Sequence, residues 1–304
     1  MRIDPEHVAE GEVVLIAGPT ASGKTQLALD LAEGLHARGR RAVVVNADAM
    51  QVYRDLRVLT ARPQPSEMRD LEHRLFGHVD AAERYSVGRW LVEVQGLLVE
   101  AREEGANAIF VGGTGLYLKA LTEGLSPVPE IASEIRDEVR ARAECEGGDA
   151  MLRWLQELDP KAAGTVKPGD TQRAVRAIEV KLSTGRSLID WQNETREPAL
   201  VSEAQRFILL PQREAVYRAI DRRFGAMIDE GALEEVQALM ARDLPADLPA
   251  MKAIGVRPLS AYLRGEIALT AAVERGKTES RRYAKRQLTW LRHQCGEGWC
   301  EIHA

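Results

Sequence analysis

The run Gly18-Pro19-Thr20-Ala21-Ser22-Gly23-Lys24-Thr25 sets two glycines, a lysine and a hydroxyl in the pattern G-x-x-x-x-G-K-[ST], which cradles phosphate when it joins a strand to a helix. The glycines let successive backbone N–H groups converge on phosphate oxygens. A helix opening at the end of the run adds the positive end of its dipole. Lys24 contributes a point charge, and the Thr25 hydroxyl is suited to Mg²⁺. The pattern points to a di- or triphosphate. It does not say which bond is broken.

Two further positions narrow the chemistry. ATPases and GTPases of the P-loop class hold Mg²⁺ with an Asp at a strand end, but here Ile109-Phe110-Val111 runs into Gly112-Gly113-Thr114-Gly115 with no acid. A motor or switch NTPase is disfavoured, and small-substrate transfer enzymes remain. Thr114 can donate a hydrogen bond at that edge, or it can simply cap a helix. A carboxylate does appear after the preceding strand, as Asp48 in Asn46-Ala47-Asp48-Ala49-Met50-Gln51-Val52-Tyr53. It could accept a proton from a nucleophile, hold metal through water, or form a turn; spacing does not choose among these.

The elements that must place these residues follow from hydrophobic patterning. Val13 to Ala17, Ala42 to Asn46 and Ala108 to Val111 read as short buried strands. Between them lie helical patterns: Thr25 to Arg38 with Leu27, Leu31 and Leu35 in register, and a helix capped by Ser86 with the stripe Trp90, Leu91, Val94, Leu97, Leu98 and Ala101. Alternation of this kind predicts an α/β fold, a parallel sheet flanked by helices, with ligands outside the carboxyl ends of its strands. The rhythm changes at Ser126-Pro127-Val128-Pro129. Helical patterns alone run from Ala132 to Ser187, with Asp149 and Asp170 as expected N-caps and Gly185 as a C-terminal stop. A strand returns at Phe207 to Leu210, followed by helices over Glu214 to Glu230 and Thr270 to Arg292. The expected organisation is a P-loop core over 1–127, a helical insertion over 128–202 and completion of the core over 203–304.

Composition sets outer bounds. The 304 residues are 45% hydrophobic, and no apolar run approaches the length of a membrane span. Three cysteines, Cys145, Cys295 and Cys300, fit neither a disulfide framework nor a metal motif. With no secretory signal at the polar N-terminus, a cytoplasmic enzyme with free thiols is expected. A net charge of -5 gives no general support to nucleic-acid binding. The stretch Lys277 to Arg292 is locally basic, however, with Arg282, Lys285 and Arg286 outward from the stripe Ala284, Leu288 and Leu291. His73 and His78 have a spacing that suits no common metal motif and read as structural.

Taken in order, GPTASGKT, NADAMQVYRDLRVLTARP, VGGTGLYLKALTEGL, DTQRAVRAIEV, AIGVR and AKRQLTWLR resemble the bacterial tRNA dimethylallyltransferase family, over Ala17 to about Arg292. The resemblance implies transfer of a dimethylallyl group from dimethylallyl diphosphate to N6 of adenosine 37, beside the anticodon of tRNA. It implies that the loop from Gly18 to Thr25 holds the donor's diphosphate with Mg²⁺ and hydrolyses no ATP. Asp48 then matches the family's general base, and Thr114 a threonine at the diphosphate and reacting region. The implied tRNA contacts are Asp48, Ala49, Met50, Gln51, Thr114, Arg136, the segment Gln172-Arg173-Ala174-Val175-Arg176, and Arg257. Ala49 departs from the family's usual serine. In that helical segment Gln172, Arg173 and Arg176 lie away from an apolar stripe expected at Val175, Ile178 and Leu182.

Other readings stay open on the residues alone. A free-nucleotide isopentenyltransferase would need no tRNA grip, and the QRAVR and C-terminal basic helices argue against it. A small-molecule P-loop kinase would consume ATP. A non-catalytic RNA-binding sensor leaves Asp48 and Thr114 without a purpose. The implied partners are tRNA and dimethylallyl diphosphate, with no membrane and no obligate protein partner.

Overall fold

The computed structural model describes residues 2–194 and 197–302. The strands are β1 (Val14–Ala17), β2 (Ala42–Asn46), β3 (Glu72–Arg74), β4 (Asn107–Gly112), β5 (Gln205–Leu209) and β6 (Cys300–Ile302). They form one six-stranded sheet in the order β3-β2-β4-β1-β5-β6, parallel at every pairing. The helices are α1 (Lys24–His36), α2 (Val87–Glu103), α3 (Gly115–Glu123), α4 (Ser133–Glu146), α5 (Gly148–Leu158), α6 (Pro160–Ala163), α7 (Thr171–Thr184), α8 (Leu188–Gln192), α9 (Arg213–Asp229), α10 (Ala232–Met240), α11 (Val256–Leu263) and α12 (Leu269–Gln294). The chain divides into two compact units, one of 1–122 with 200–304 and the other of 123–199. Among the described residues no helix is long and apolar enough to cross a membrane.

The first unit holds the sheet, and its strands are apolar on both sides because helices cover both faces. Leu15, Ala17, Val43, Val45 and Phe110 pack with Trp90, Val94 and Leu118. Val14, Ile16, Val44, Ile109 and Val111 pack instead with Leu27, Leu31 and Leu35 of α1. Period-two alternation sends neighbouring residues to opposite layers, and each fully buried side chain of this size contributes about 1.5–3 kcal/mol. Trp90 is fully buried; its indole N–H donates to the Asn46 carbonyl at 3.0 Å and its ring stacks on Tyr117. Ser86 caps α2 by accepting from Arg89 N.

Register is what serves the site. β4 lies between β1 and β2, with Ala17 opposite Gly112 and Asn46 opposite Val111. The three strands therefore end level, and the loops that follow them, carrying the glycine-rich run, Thr114 and Asp48, leave from one edge. β3 and β6 escape the sequence reading because each is three residues long and holds charged residues. They pair at the sheet's two edges, where no apolar run is required.

The second unit is helical among its described residues, around Val139, Met151, Leu155, Ala174, Ala177 and Ile178. Asp170 caps α7 by accepting from Arg173 N, and Gly185 ends it in the left-handed region. Two expectations need correction. Gly147, not Asp149, is the N-cap of α5, and Asp149 sits in its first turn. The buried residues of α7 are Ala174, Ala177, Ile178, Glu179 and Val180, with Val175 only partly buried and Leu182 38% exposed. The buried face is thus turned toward Ala174 and Val180 and away from Leu182.

Candidate active site

The glycine-rich run joins β1 to α1. Gly23 precedes α1 with φ +84°, the left-handed backbone that a side chain resists, and this turns the following N–H groups toward the loop. A cavity of about 470 Å³ opens here, lined by Thr20 to Thr25, Asp48, Gln51 and Arg223, with Thr60, Ala61 and Pro63 further out. Gly18 and Pro19 shape the loop without lining the cavity. Gly18 N donates to the Gly112 carbonyl at 3.3 Å, and the Pro19 carbonyl accepts from Lys24 Nζ at 3.2 Å. Ser22 is buried, with its hydroxyl turned inward beside Gly18, so its contribution to a ligand is its backbone.

The cavity's electrostatics centre on three charges. Burial lowers the Lys24 pKa to about 8; Asp48 opposes this and Arg223 adds to it. Burial likewise disfavours the charge on Arg223, again opposed by Asp48. Arg223 lies on α9 and donates to the Thr20 hydroxyl. With Arg69 and Glu67 also on the wall, three cations against two carboxylates leave an excess of positive charge, which suits a polyanion.

Asp48 is held in place from several sides. Its N–H donates to Asn46 Oδ1 at 2.9 Å, and its carbonyl accepts from Asn46 Nδ2 at 2.9 Å. One carboxylate oxygen accepts from Met50 N at 2.9 Å, an Asx turn that leaves the other oxygen's lone pairs for chemistry. The turn-forming and chemical readings of Asp48 are thus compatible. Thr114 does not line the cavity. Its hydroxyl accepts from Ala49 N at 2.9 Å, tying the β4 loop to the residue after Asp48, while its carbonyl accepts from Leu118 N at 3.3 Å at the start of α3. Gln51 reaches both a wall and a brace, donating to the carbonyls of Thr60 at 2.9 Å and Ala61 at 3.2 Å. Met50 is half-buried against an apolar cluster around Val52 and Tyr53.

The remaining sequence-predicted contacts lie on helix surfaces. Arg257 is exposed in the first turn of α11. In the second unit Gln172, Arg173 and Arg176 are exposed. Arg173 pairs with Asp170 at 3.2 Å, and Arg176 with the buried Glu179 at 3.7 Å. Arg136 donates to the Ile131 carbonyl. Ala174, however, is 1% exposed and belongs to the core of its unit. Its side chain is closed off from any ligand, and the partly buried Val175 packs against the same core. His73 hydrogen-bonds the Leu71 carbonyl and His78 lies 2.8 Å from Glu93.

With this geometry in view, comparison with known proteins is decisive. The IPP transferase family profile matches residues 51–294, and an isopentenyl transferase profile matches 11–80. A tRNA dimethylallyltransferase of Nitrobacter hamburgensis is 53% identical over 287 residues, covering 94% of this chain and 89% of its own length. The chain belongs to the IPP transferase family. Solved structures agree. The tRNA isopentenylpyrophosphate transferase of Bacillus halodurans matches with a TM-score of 0.67 at 32% identity, over 97% of this chain and 90% of that one. A eukaryotic dimethylallyltransferase acting on tRNA matches with a TM-score of 0.78 at 26% identity, over 96% and 74%.

For this IPP transferase, two residues at the site had no signal in the glycine-rich run. Arg223 sits on α9 beside Ile220, Phe224 and Met227, which are buried. Gln287 sits on α12 beside the buried Ala284, Leu288 and Leu291. Each is a polar side chain in register with an apolar stripe, and that mismatch is the sequence signal that could have found it.

Proposed function

We propose that this enzyme transfers a dimethylallyl group from dimethylallyl diphosphate to N6 of adenosine 37 in tRNA, releasing diphosphate. The observation that carries the reading is the placement of Asp48 and the loop from Thr20 to Thr25 on one cavity, with a carboxylate facing the phosphate site and no acid at the end of β4. The backbone N–H groups from Ala21 to Thr25, Lys24 and Arg223 bind the donor's diphosphate. Charge grows on that group as the bond from carbon to oxygen breaks, so these donors stabilise the transition state more than the ground state. The adenine N6 forms the new bond to the same carbon, and Asp48 accepts the proton that N6 gives up.

The donor set also fits Mg²⁺. Thr25 offers a hydroxyl in the wall of the phosphate cavity. That is the environment of a cation that keeps waters and leans on substrate phosphates rather than on a protein cage. Thr25 would hold it, and when bound it supplies positive charge to the departing diphosphate.

The RNA must be gripped firmly enough to bring one adenine out of its stack, at a cost of a few kcal/mol. Gln172, Arg173, Arg176 and Arg136 supply polar contacts from the helical unit. Arg257, Gln51 and the exposed Arg282, Lys285 and Arg286 supply them from the sheet unit. This division is what separates the reading from a free-nucleotide isopentenyltransferase.

The test incubates the protein with labelled dimethylallyl diphosphate, Mg²⁺ and unmodified tRNA, with AMP in a parallel reaction. Label is expected on the tRNA adenosine. Label on AMP and none on tRNA would replace this reading with the free-nucleotide one.

A further inference from the structure

The loop after β4 is unusual in receiving side chains from a helix more than a hundred residues away. Gln287, on α12, is 5% exposed and both ends of its amide are engaged. Its Nε2 donates to the Gly113 carbonyl at 2.9 Å, and its Oε1 accepts from Thr20 N at 2.9 Å. A Cβ on Gly113 would fall 2.3 Å from that same Nε2 and 2.8 Å from the Gly18 carbonyl. One turn further along α12, the Trp290 ring occupies the space where a Gly115 Cβ would be, at 2.3 Å. Gly113 and Gly115 therefore do more than stop a strand: they admit α12. Between them Thr114 holds Ala49 N, next to Asp48, and the Tyr283 hydroxyl lies beside both Thr114 and Gln287.

We propose that Gln287 is a positioning residue that fixes the register between the phosphate loop and the loop carrying Thr114. The inference rests on the prenyl-transfer reading above. A single planar amide joins the backbone of one loop to the backbone of the other. Through Thr114 and Ala49 the same connection reaches Asp48. The separation between the departing diphosphate and the proton acceptor is thereby set by α12 rather than by the sheet edge alone. The Thr20 N–H is committed to Gln287, so it takes no part in binding phosphate. Loss of the amide should therefore disturb alignment more than donor affinity, and misplacement of reacting groups by about 1 Å can cost about 100-fold in rate.

Two variants separate alignment from mere folding. Gln287→Met keeps the length and removes both hydrogen bonds. Gln287→Glu keeps the acceptor for Thr20 N but sets a carboxylate against the Gly113 carbonyl, a clash that protonation of the new acid relieves. Steady-state kcat, the KM for dimethylallyl diphosphate and tRNA Kd are measured for both and for the wild type, with thermal melting to verify folding. Folded Gln287→Met is expected to lose about 10- to 100-fold in kcat, with donor KM and tRNA Kd within about 3-fold. Gln287→Glu is expected to lose kcat at neutral pH and regain part of the gap to wild type as pH falls. Wild-type kcat in a folded variant, or a loss confined to donor KM, overturns the inference. An inactive wild type instead overturns the prenyl-transfer reading itself.

Discussion

The phosphate cavity and the outer face of α7 both present cations, but at different depths. Lys24 and Arg223 are desolvated, and burial works against the charge on each. Arg173 has a side chain 76% exposed, while Arg176, 44% exposed beside the buried Glu179, is intermediate: burial works against its charge too. Buried charges interact strongly and are little screened, while exposed ones act weakly and in proportion to ionic strength. On the proposed function, the first region stabilises a leaving group at a fixed point, and the second holds a polymer that arrives and departs. The difference predicts that changes in the cavity act on turnover or donor binding, whereas changes on α7 act on RNA affinity.

The largest effect is expected at Asp48. Asp48→Asn keeps an acceptor for Met50 N but cannot take a proton, so kcat should fall by about 100- to 10,000-fold while tRNA Kd in a filter-binding assay stays near wild type. Weakened tRNA binding with intact turnover would move Asp48 from the first region to the second. Next comes Arg223→Gln, which removes a charge-assisted donor beside Thr20. Interactions of that kind are worth about 1.5–3 kcal/mol, so kcat/KM for dimethylallyl diphosphate should fall about 10- to 100-fold, with part of the loss in kcat and little change in salt dependence.

A smaller effect follows from the lowered pKa of Lys24. A bound polyanion favours the charged amine and raises its pKa, so donor binding should take up a proton over the range, centred at about pH 8, in which the free enzyme loses one. Donor KM should be flat below pH 7 and climb through pH 8 to 9. Calorimetry in buffers of different ionisation enthalpy would detect the proton directly. The smallest effect belongs to the surface: Arg176→Ala should weaken tRNA binding several-fold and reduce the slope of log K against log salt by less than about 1. An unchanged slope would remove Arg176 from the RNA contact.

What the sequence made legible was whatever depends on neighbours along the chain. β1, β2 and β4 were readable as apolar runs, and the phosphate loop as a spaced set of glycine, lysine and threonine. Asp48 and Thr114 could be placed at one edge because parallel strands end together. Arg223 and Gln287 were not seen, since each reaches the site only by tertiary folding and each hides within a helix of ordinary polar composition. The face of α7 was misjudged for a related reason: tertiary packing, not hydrophobicity, decides that Ala174 is inside and Leu182 is not. Glu72 to Arg74 could not be recognised as a strand, because an edge strand carries little of the apolar pattern.

The central claim is that the loop from Gly18 to Thr25 holds a departing diphosphate and not a nucleotide to be hydrolysed. The most direct measurement counts products in one reaction containing dimethylallyl diphosphate, tRNA, Mg²⁺ and ATP labelled at the γ-phosphate. The account predicts one inorganic diphosphate for each prenylated adenosine, with the ATP label unchanged. Release or transfer of the γ-phosphate in step with turnover would contradict it.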